Sequence, residues 1–220
     1  MPNSELIYIL GVAALVVILL ICAEVLKKRF NLETEKTRKF AHISNGVVTL
    51  FFPFLFNTPV PVMILSFLFF ILLLASKRFH FLESVNGISR VSAGSLVYPI
   101  AIYICFNYYC DKKELIYYVL PLSIFIFCDP LAALVGGKTN WVPYRVISGY
   151  KTMAGSITFF GGAFLLSLFL FILKTNVENV FFLSFTIAVT STVTEAVSPW
   201  GADNLTVPLS SLLVLQLFHV

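Results

Sequence analysis

Long apolar runs, broken at intervals by short clusters of charge, glycine and proline, set the pattern of this chain. The first run, 7–26, has no basic stretch ahead of it and is too long for a cleaved signal, so it reads as a retained helix. Similar runs recur and give eight predicted spans, over 5–26, 40–56, 59–76, 93–110, 115–135, 153–173, 180–199 and 204–219. The fourth opens in the Gly/Ser patch Ser92-Ala93-Gly94-Ser95, and the eighth is short enough to be tilted or partly interfacial. Pro53, Pro59 and Pro61 mark a tight turn between the second and third. The runs are continuous rather than alternating, which excludes a transmembrane barrel. The expected fold is all-α: a polytopic integral membrane helix bundle of about eight transmembrane helices, forming one domain over 1–220 without a long internal repeat.

Composition agrees. The 220 residues are 59% hydrophobic and 12% charged, with a mean hydropathy of +0.93. A soluble domain of this size needs far more charge, and backbone surrounded by lipid must satisfy its own hydrogen bonds as helix. Cys22, Cys105, Cys110 and Cys128 form no CxxC pair, and three of them lie inside apolar runs. They read as buried small hydrophobes rather than zinc ligands.

Charge sets an orientation. Twelve of the fifteen Lys and Arg residues fall in odd-numbered loops: Lys27, Lys28, Arg29, Lys36, Arg38 and Lys39 in the first, Lys77, Arg78 and Arg90 in the third, Lys138, Arg145 and Lys151 in the fifth. Only Lys112, Lys113 and Lys174 lie on the other side. The odd loops are therefore expected in the cytoplasm and both termini opposite. This basic rim suits either anionic membrane lipids or a phosphate-bearing ligand.

Against that background the acids stand out. Asp129 closes the apolar run 115–128, Glu195 lies inside the run 180–199, and Asp203-Asn204 follow just past its end. A carboxylate in hydrocarbon costs about 2.5–3.5 kcal/mol on insertion scales, so it has a partner or a function. Four polar clusters share the predicted cytoplasmic face. In Arg38-Lys39-Phe40-Ala41-His42, Arg38 and His42 are one helical turn apart on one face. In the stretch from Asp129 to Lys138, Asp129, Ala132 and Gly136 follow at turn spacing, a small-residue face that admits a backbone or a ligand, and Pro130 loosens the helix beside the acid. Lys151-Thr152-Met153-Ala154-Gly155-Ser156 opens the sixth span, where free N–H groups, a lysine and hydroxyls suit phosphate, although it is no Walker A loop. Glu195 and Asp203-Asn204 bracket the turn Pro199-Trp200-Gly201, an oxygen-rich set suited to Mg²⁺. Each cluster alone has a plain reading as a membrane anchor, a packing face, a capped helix start or a turn. Together they supply acids for a metal and bases for phosphate in a lipid phase, which is what phosphoryl or nucleotidyl transfer to a lipid requires.

At these residues the chain resembles the CTP-dependent lipid-alcohol kinases (phytol, farnesol and dolichol kinases and the CTP-dependent diacylglycerol kinase), a group distantly similar to phosphatidate cytidylyltransferase. The family's RKxxH pattern matches Arg38, Lys39 and His42; DxxAxxxG matches Asp129, Ala132 and Gly136; KSxEGS is approximated by Lys151 to Ser156; and the E…P.G.DN…P ending matches Glu195, Pro199, Gly201, Asp203, Asn204 and Pro208. Ala154 stands where the family has a glutamate, and Asn140 where a second glycine is common. Glu195 or Asp203 would then take the missing acid's part.

The resemblance implies a membrane kinase that moves the γ-phosphate of CTP to a lipid hydroxyl. Asp129, Glu195 and Asp203 are its expected catalytic acids and Mg²⁺ ligands, and His42 or a carboxylate the base. Arg38, Lys39, Gly136, Lys138, Arg145, Lys151, Thr152, Gly155, Ser156 and Asn204 are the expected nucleotide-binding positions. The alcohol is expected to enter sideways from the bilayer, its tail along the Phe-rich stretches 67–74 and 159–171. CTP, a lipid alcohol and membrane lipids are the expected partners, with no nucleic acid among them. Two alternatives stay open on sequence: a cytidylyltransferase making a CDP-lipid, and a non-enzymatic transporter or scaffold.

Overall fold

The computed structural model describes residues 3–79, 81–87, 93–139, 141–147, 149–174 and 177–220. Arg90, Ser92 and Asn140, which entered the sequence reading, lie outside the described residues. The helices are α1 (Asn3–Phe30), α2 (Thr34–Leu50), α3 (Phe52–Leu55), α4 (Pro59–Phe79), α5 (Glu83–Asn86), α6 (Gly94–Lys112), α7 (Ile116–Ser123), α8 (Asp129–Thr139), α9 (Met153–Leu173), α10 (Val180–Val197) and α11 (Asp203–Leu217). A π-helical segment, Ile124–Cys128, joins α7 to α8, and a hairpin of β1 (Pro143–Val146) and β2 (Gly149–Thr152) joins α8 to α9. The fold is an all-α membrane bundle.

Each of the eight predicted spans coincides with helix. Among the described residues, five helices are long and apolar enough to cross a membrane on their own: Glu5–Phe30, Pro59–Phe79, Ile116–Thr139, Met153–Leu173 and Val180–Val197. Of the other three, α2 with 17 residues and α11 with 15 are shorter than these, and α6 ends in the polar stretch Asn107 to Lys112. The continuous Ile116–Thr139 helix is 61% buried within its most apolar window, against 22–33% for the other four, so it forms the axis of the bundle. Ile116, Tyr118, Leu120, Leu122, Ile124, Phe125 and Ile126 are all in the core, as expected for a helix apolar on every side. Phe67, Leu165, Phe169 and Phe181 remain outside, on surface that meets lipid. Cys105 and Cys128 are buried as expected, but Cys22 is exposed on α1 and Cys110 only half-buried; all four are free thiols.

The second span starts six residues earlier than its apolar pattern suggested. α1 runs on to Phe30 and α2 begins at Thr34, leaving a short turn with Asn31 at φ +50°, a conformation Asn tolerates well. Pairs three residues apart support this polar first turn, Lys36–Glu33 at 3.4 Å and Arg38–Glu35 at 2.6 Å. The hairpin was not legible in the fifth loop. Its strands pair in antiparallel register, Pro143 with Thr152 and Val146 with Gly149, and it ends by delivering Thr152 as the cap of α9.

Odd loops gather at one end of the bundle and even loops at the other. At the first end Ala93 N–H donates to Trp200 O at 2.8 Å, and Lys27 Nζ donates to Glu83 O at 3.0 Å. At the second, Lys174 pairs with Glu114 at 3.1 Å and Tyr108 OH donates to Gln216 at 3.3 Å.

α8 and α9 touch through glycine. A methyl group at Gly136 would sit 2.5 Å from Thr152 Oγ1 and 3.3 Å from the Gly155 Cα, so the face read as open to backbone or ligand is filled by backbone. Gly136→Val is expected to lower stability by about 1–3 kcal/mol through overpacking. The thermal midpoint of the purified variant in detergent checks this, and a wild-type midpoint would deny the close contact.

Candidate active site

Three carboxylates converge at the end where the odd loops lie. Asp129 opens α8, Glu195 sits in the last turn of α10, and Asp203 opens α11. One oxygen from each lies within 4.8 Å of the others. The turn from α10 to α11 makes this possible by doubling back: Trp200 at φ +50° is followed by Gly201 at φ +84°, a conformation that favours glycine. Glu195 is 8% exposed. Lys151 Nζ lies 2.6 Å from its Oε1 and also donates to its main-chain carbonyl.

The π-helical segment positions the histidine. Pro130 has no N–H, so a carbonyl one turn back loses its usual donor, and the helix widens before Asp129. His42 reaches into this gap, with Nε2 3.3 Å from Phe125 O. A carbonyl only accepts, so His42 carries its proton on Nε2 and keeps the Nδ1 lone pair free of it. Its ring stacks on Tyr98 (centroids 6.1 Å apart) and meets the Phe125 edge at 4.6 Å, which fixes its orientation. Arg38, one turn away, forms a two-point pair with Glu35 (3.1 and 2.6 Å) and lies in the electrostatic field of Asp129 and Asp203.

A cavity of about 330 Å³ meets the site from within the bundle. Arg38, His42, Lys77 and Asn204 line its most polar end, and the remainder, lined by mixed polar and apolar side chains, lies between α1, α2, α4, α5 and α6. Asn204 fits there because residue 94 has no side chain: a methyl group at Gly94 would lie 2.8 Å from its Nδ2.

The structure thus unites Arg38, His42, Asp129, Lys151, Glu195, Asp203 and Asn204. Other expected positions are placed differently. Thr152 Oγ1 accepts from Gly155 N–H at 3.1 Å to cap α9, and Ser156 Oγ shares a 2.6 Å hydrogen bond with Tyr144. Gly136 and Gly155 pack the two helices together. Lys138 and Arg145 are exposed. Lys39 is half-buried, one position round the helix from Arg38. Sequence reasoning missed Asn45, Lys77 and Tyr98, which also line the cavity. The signal for Asn45 was its spacing: Arg38, His42, Asn45 and Thr49 recur at turn intervals along one face of α2.

No protein-family model matches the chain, and no solved structure does. A curated relative does: the chain is 31% identical over 194 residues to a phytol kinase of Synechocystis sp., covering 87% of this chain and 83% of that one. The chain belongs to the lipid-alcohol kinase family. In this lipid-alcohol kinase, an integral membrane protein, the acids come from three separate helices, so the site exists only once the bundle has closed. The Lys151–Glu195 pair ties the hairpin to α10 across it.

Proposed function

We propose that this kinase transfers the γ-phosphate of CTP to the hydroxyl of an isoprenoid lipid alcohol of the phytol or polyprenol type. The observation that carries the reading is the junction at Arg38, His42 and Asn204, where a cluster of acids and bases meets a partly apolar cavity inside a membrane bundle. The relative's name gives phytol as that protein's acceptor and supports the acceptor class. The cytoplasmic placement of the site rests on the twelve basic residues of the odd loops, which puts the nucleotide in the cytosol and both termini opposite.

Hard oxygen donors from three elements, within 4.8 Å of one another, suit a divalent cation. Asp129, Glu195 and Asp203 would hold Mg²⁺, which supplies charge neutralisation on the triphosphate. Arg38 and Lys151 place positive charge beside the acids, where it offsets the charge that develops during transfer, and Lys39, Lys138 and Arg145 belong to the basic rim around them. Gly136 and Gly155 contribute by letting α8 lie against the N-terminus of α9, the positive end of its dipole. The alcohol oxygen attacks the γ-phosphorus as its proton passes to His42 Nδ1, and the bond to the β-phosphate oxygen breaks with its electron pair leaving on CDP. Phe125 O holds the opposite ring nitrogen's proton throughout, which keeps Nδ1 the basic atom.

His42→Ala is expected to lower kcat by about 10²–10⁴ while leaving the KM for CTP within about twofold, since the imidazole acts on the proton and not on the nucleotide. Steady-state kinetics with labelled CTP read this, and an unchanged kcat would move the base to a carboxylate.

A further inference from the structure

Two walls of the cavity lose polarity going inward: on α4, Lys77 gives way to Leu73 and Phe69, and on α6, Ser95 gives way to Pro99 and Ile102. α2 stays polar along the same path, from Arg38 and His42 through Asn45 to Thr49, whose Oγ1 lies 3.3 Å from Tyr98 OH. α1 contributes only apolar side chains, Leu20 among them. From Lys77 to Phe69 is about 12 Å at the helical rise, less than half of a hydrocarbon core about 30 Å thick. The volume of about 330 Å³ is near the lower end of small-molecule sites. That suits one hydrocarbon chain held lengthwise, not the paired chains of a diacylglycerol.

A second observation points to what occupies the polar end. Asn45 Nδ2 donates to Ala41 O at 2.8 Å, while its Oδ1 is buried with no donor among the described residues. An acceptor left in that state costs about 1–3 kcal/mol, which a hydroxyl donor would recover. A third concerns access. A second groove, of about 610 Å³, lies along α1 against Leu72, Phe81 and Leu82 and is largely apolar, with Glu24, Lys28 and Arg29 as its charged members. Leu20 lines both the groove and the cavity. A tail in the bilayer therefore lies one side chain away from the cavity and need not cross water.

Resting on the function proposed above, we infer that the cavity between α1, α2, α4, α5 and α6 is the binding site for the tail of a single-chain isoprenoid alcohol. Asn45 Oδ1 accepts the hydrogen bond of its hydroxyl as the alcohol docks, that single proton turns to His42 when transfer begins, and Leu73, Phe69 and Ile102 limit how much tail is enclosed. The Phe-rich face of α9 plays no part in holding it.

The test uses full-length protein in detergent or liposomes with two independent readouts. Filling the deep end with Leu73→Trp or Ile102→Trp is expected to raise the KM for a C20 alcohol about 10–100-fold, the equivalent of about 1–3 kcal/mol of overpacking, with a smaller effect on a C10 alcohol and none on CTP. Asn45→Ala is expected to raise the KM for both alcohols and leave that for CTP unchanged. A diazirine-bearing isoprenoid alcohol, photolysed on the wild type and mapped by peptide mass spectrometry, is expected to label α1, α2, α4 and α6, with competition by unlabelled phytol. Labelling there with no phosphorylation of any alcohol would leave the tail site standing and overturn the kinase reading. Phosphorylation with labelling confined to α9, or with Trp variants that treat C20 and C10 alcohols alike, would overturn the tail site and leave the kinase reading intact.

Discussion

Asp129→Asn is expected to reduce phosphoryl transfer by at least about 10²–10³, the size of effect seen when one preorganised electrostatic partner is removed from a transition state. Asparagine matches aspartate in size but carries no charge, and Asp129 is one of only three acids whose oxygens meet within 4.8 Å among the described residues. The loss should be the same with every lipid alcohol, because the missing charge acts on the phosphate side. The measurement is initial rate with γ-labelled CTP at saturating alcohol, beside a gel-filtration profile and a thermal midpoint close to those of the wild type. Turnover at the wild-type rate would mean that Asp129 neither holds a metal nor balances the phosphates.

The Lys151–Glu195 pair is expected to give the largest stability effect in the site. Its two side chains are 21% and 11% exposed, so neither charge is well hydrated, and the glutamate also faces Asp129 and Asp203. Lys151→Met leaves Glu195 as a buried charge without its counter-ion, at a cost of about 3–5 kcal/mol. Lys151→Met combined with Glu195→Gln removes both charges and should recover most of that loss. Neither variant should recover turnover, since both remove charge needed at the phosphates. Thermal unfolding of the wild type, the two single variants and the double variant forms a complete cycle. A Lys151→Met protein as stable as the wild type would show that the pair carries no net structural weight.

Much of this bundle can be read from sequence because lipid imposes a simple rule: a backbone in hydrocarbon must be helical, and apolar runs of span length mark where it is. The rule weakens where a helix carries polar groups inward. The apolar pattern therefore places the start of α2 six residues late: its first turns are charged, yet they are helical and braced by the Lys36–Glu33 and Arg38–Glu35 pairs. The acids were legible for the converse reason, since Asp129, Glu195 and Asp203 are conspicuous against apolar neighbours. Gly136 was legible as a point of close approach, but only the packing of α8 on α9 shows that the partner is Gly155 and Thr152. The cavity was not legible at all. Its walls come from α1, α2, α4, α5 and α6 with Asn204 of α11 at the polar end, and no local pattern says which faces meet. Of the two Phe-rich stretches, 67–74 contributes Phe69 and Leu73 to the cavity's lining and 159–171 contributes no residue.

The most direct test of the central claim is one incubation of purified protein in detergent with γ-labelled CTP, Mg²⁺ and, in separate reactions, phytol, farnesol, geranylgeraniol, a polyprenol and diacylglycerol. Label in the organic phase as an isoprenoid phosphate, with CDP in the aqueous phase, is the expected result. No label with any alcohol, together with pyrophosphate released when phosphatidate is supplied, would contradict it and make the chain a nucleotidyl transferase.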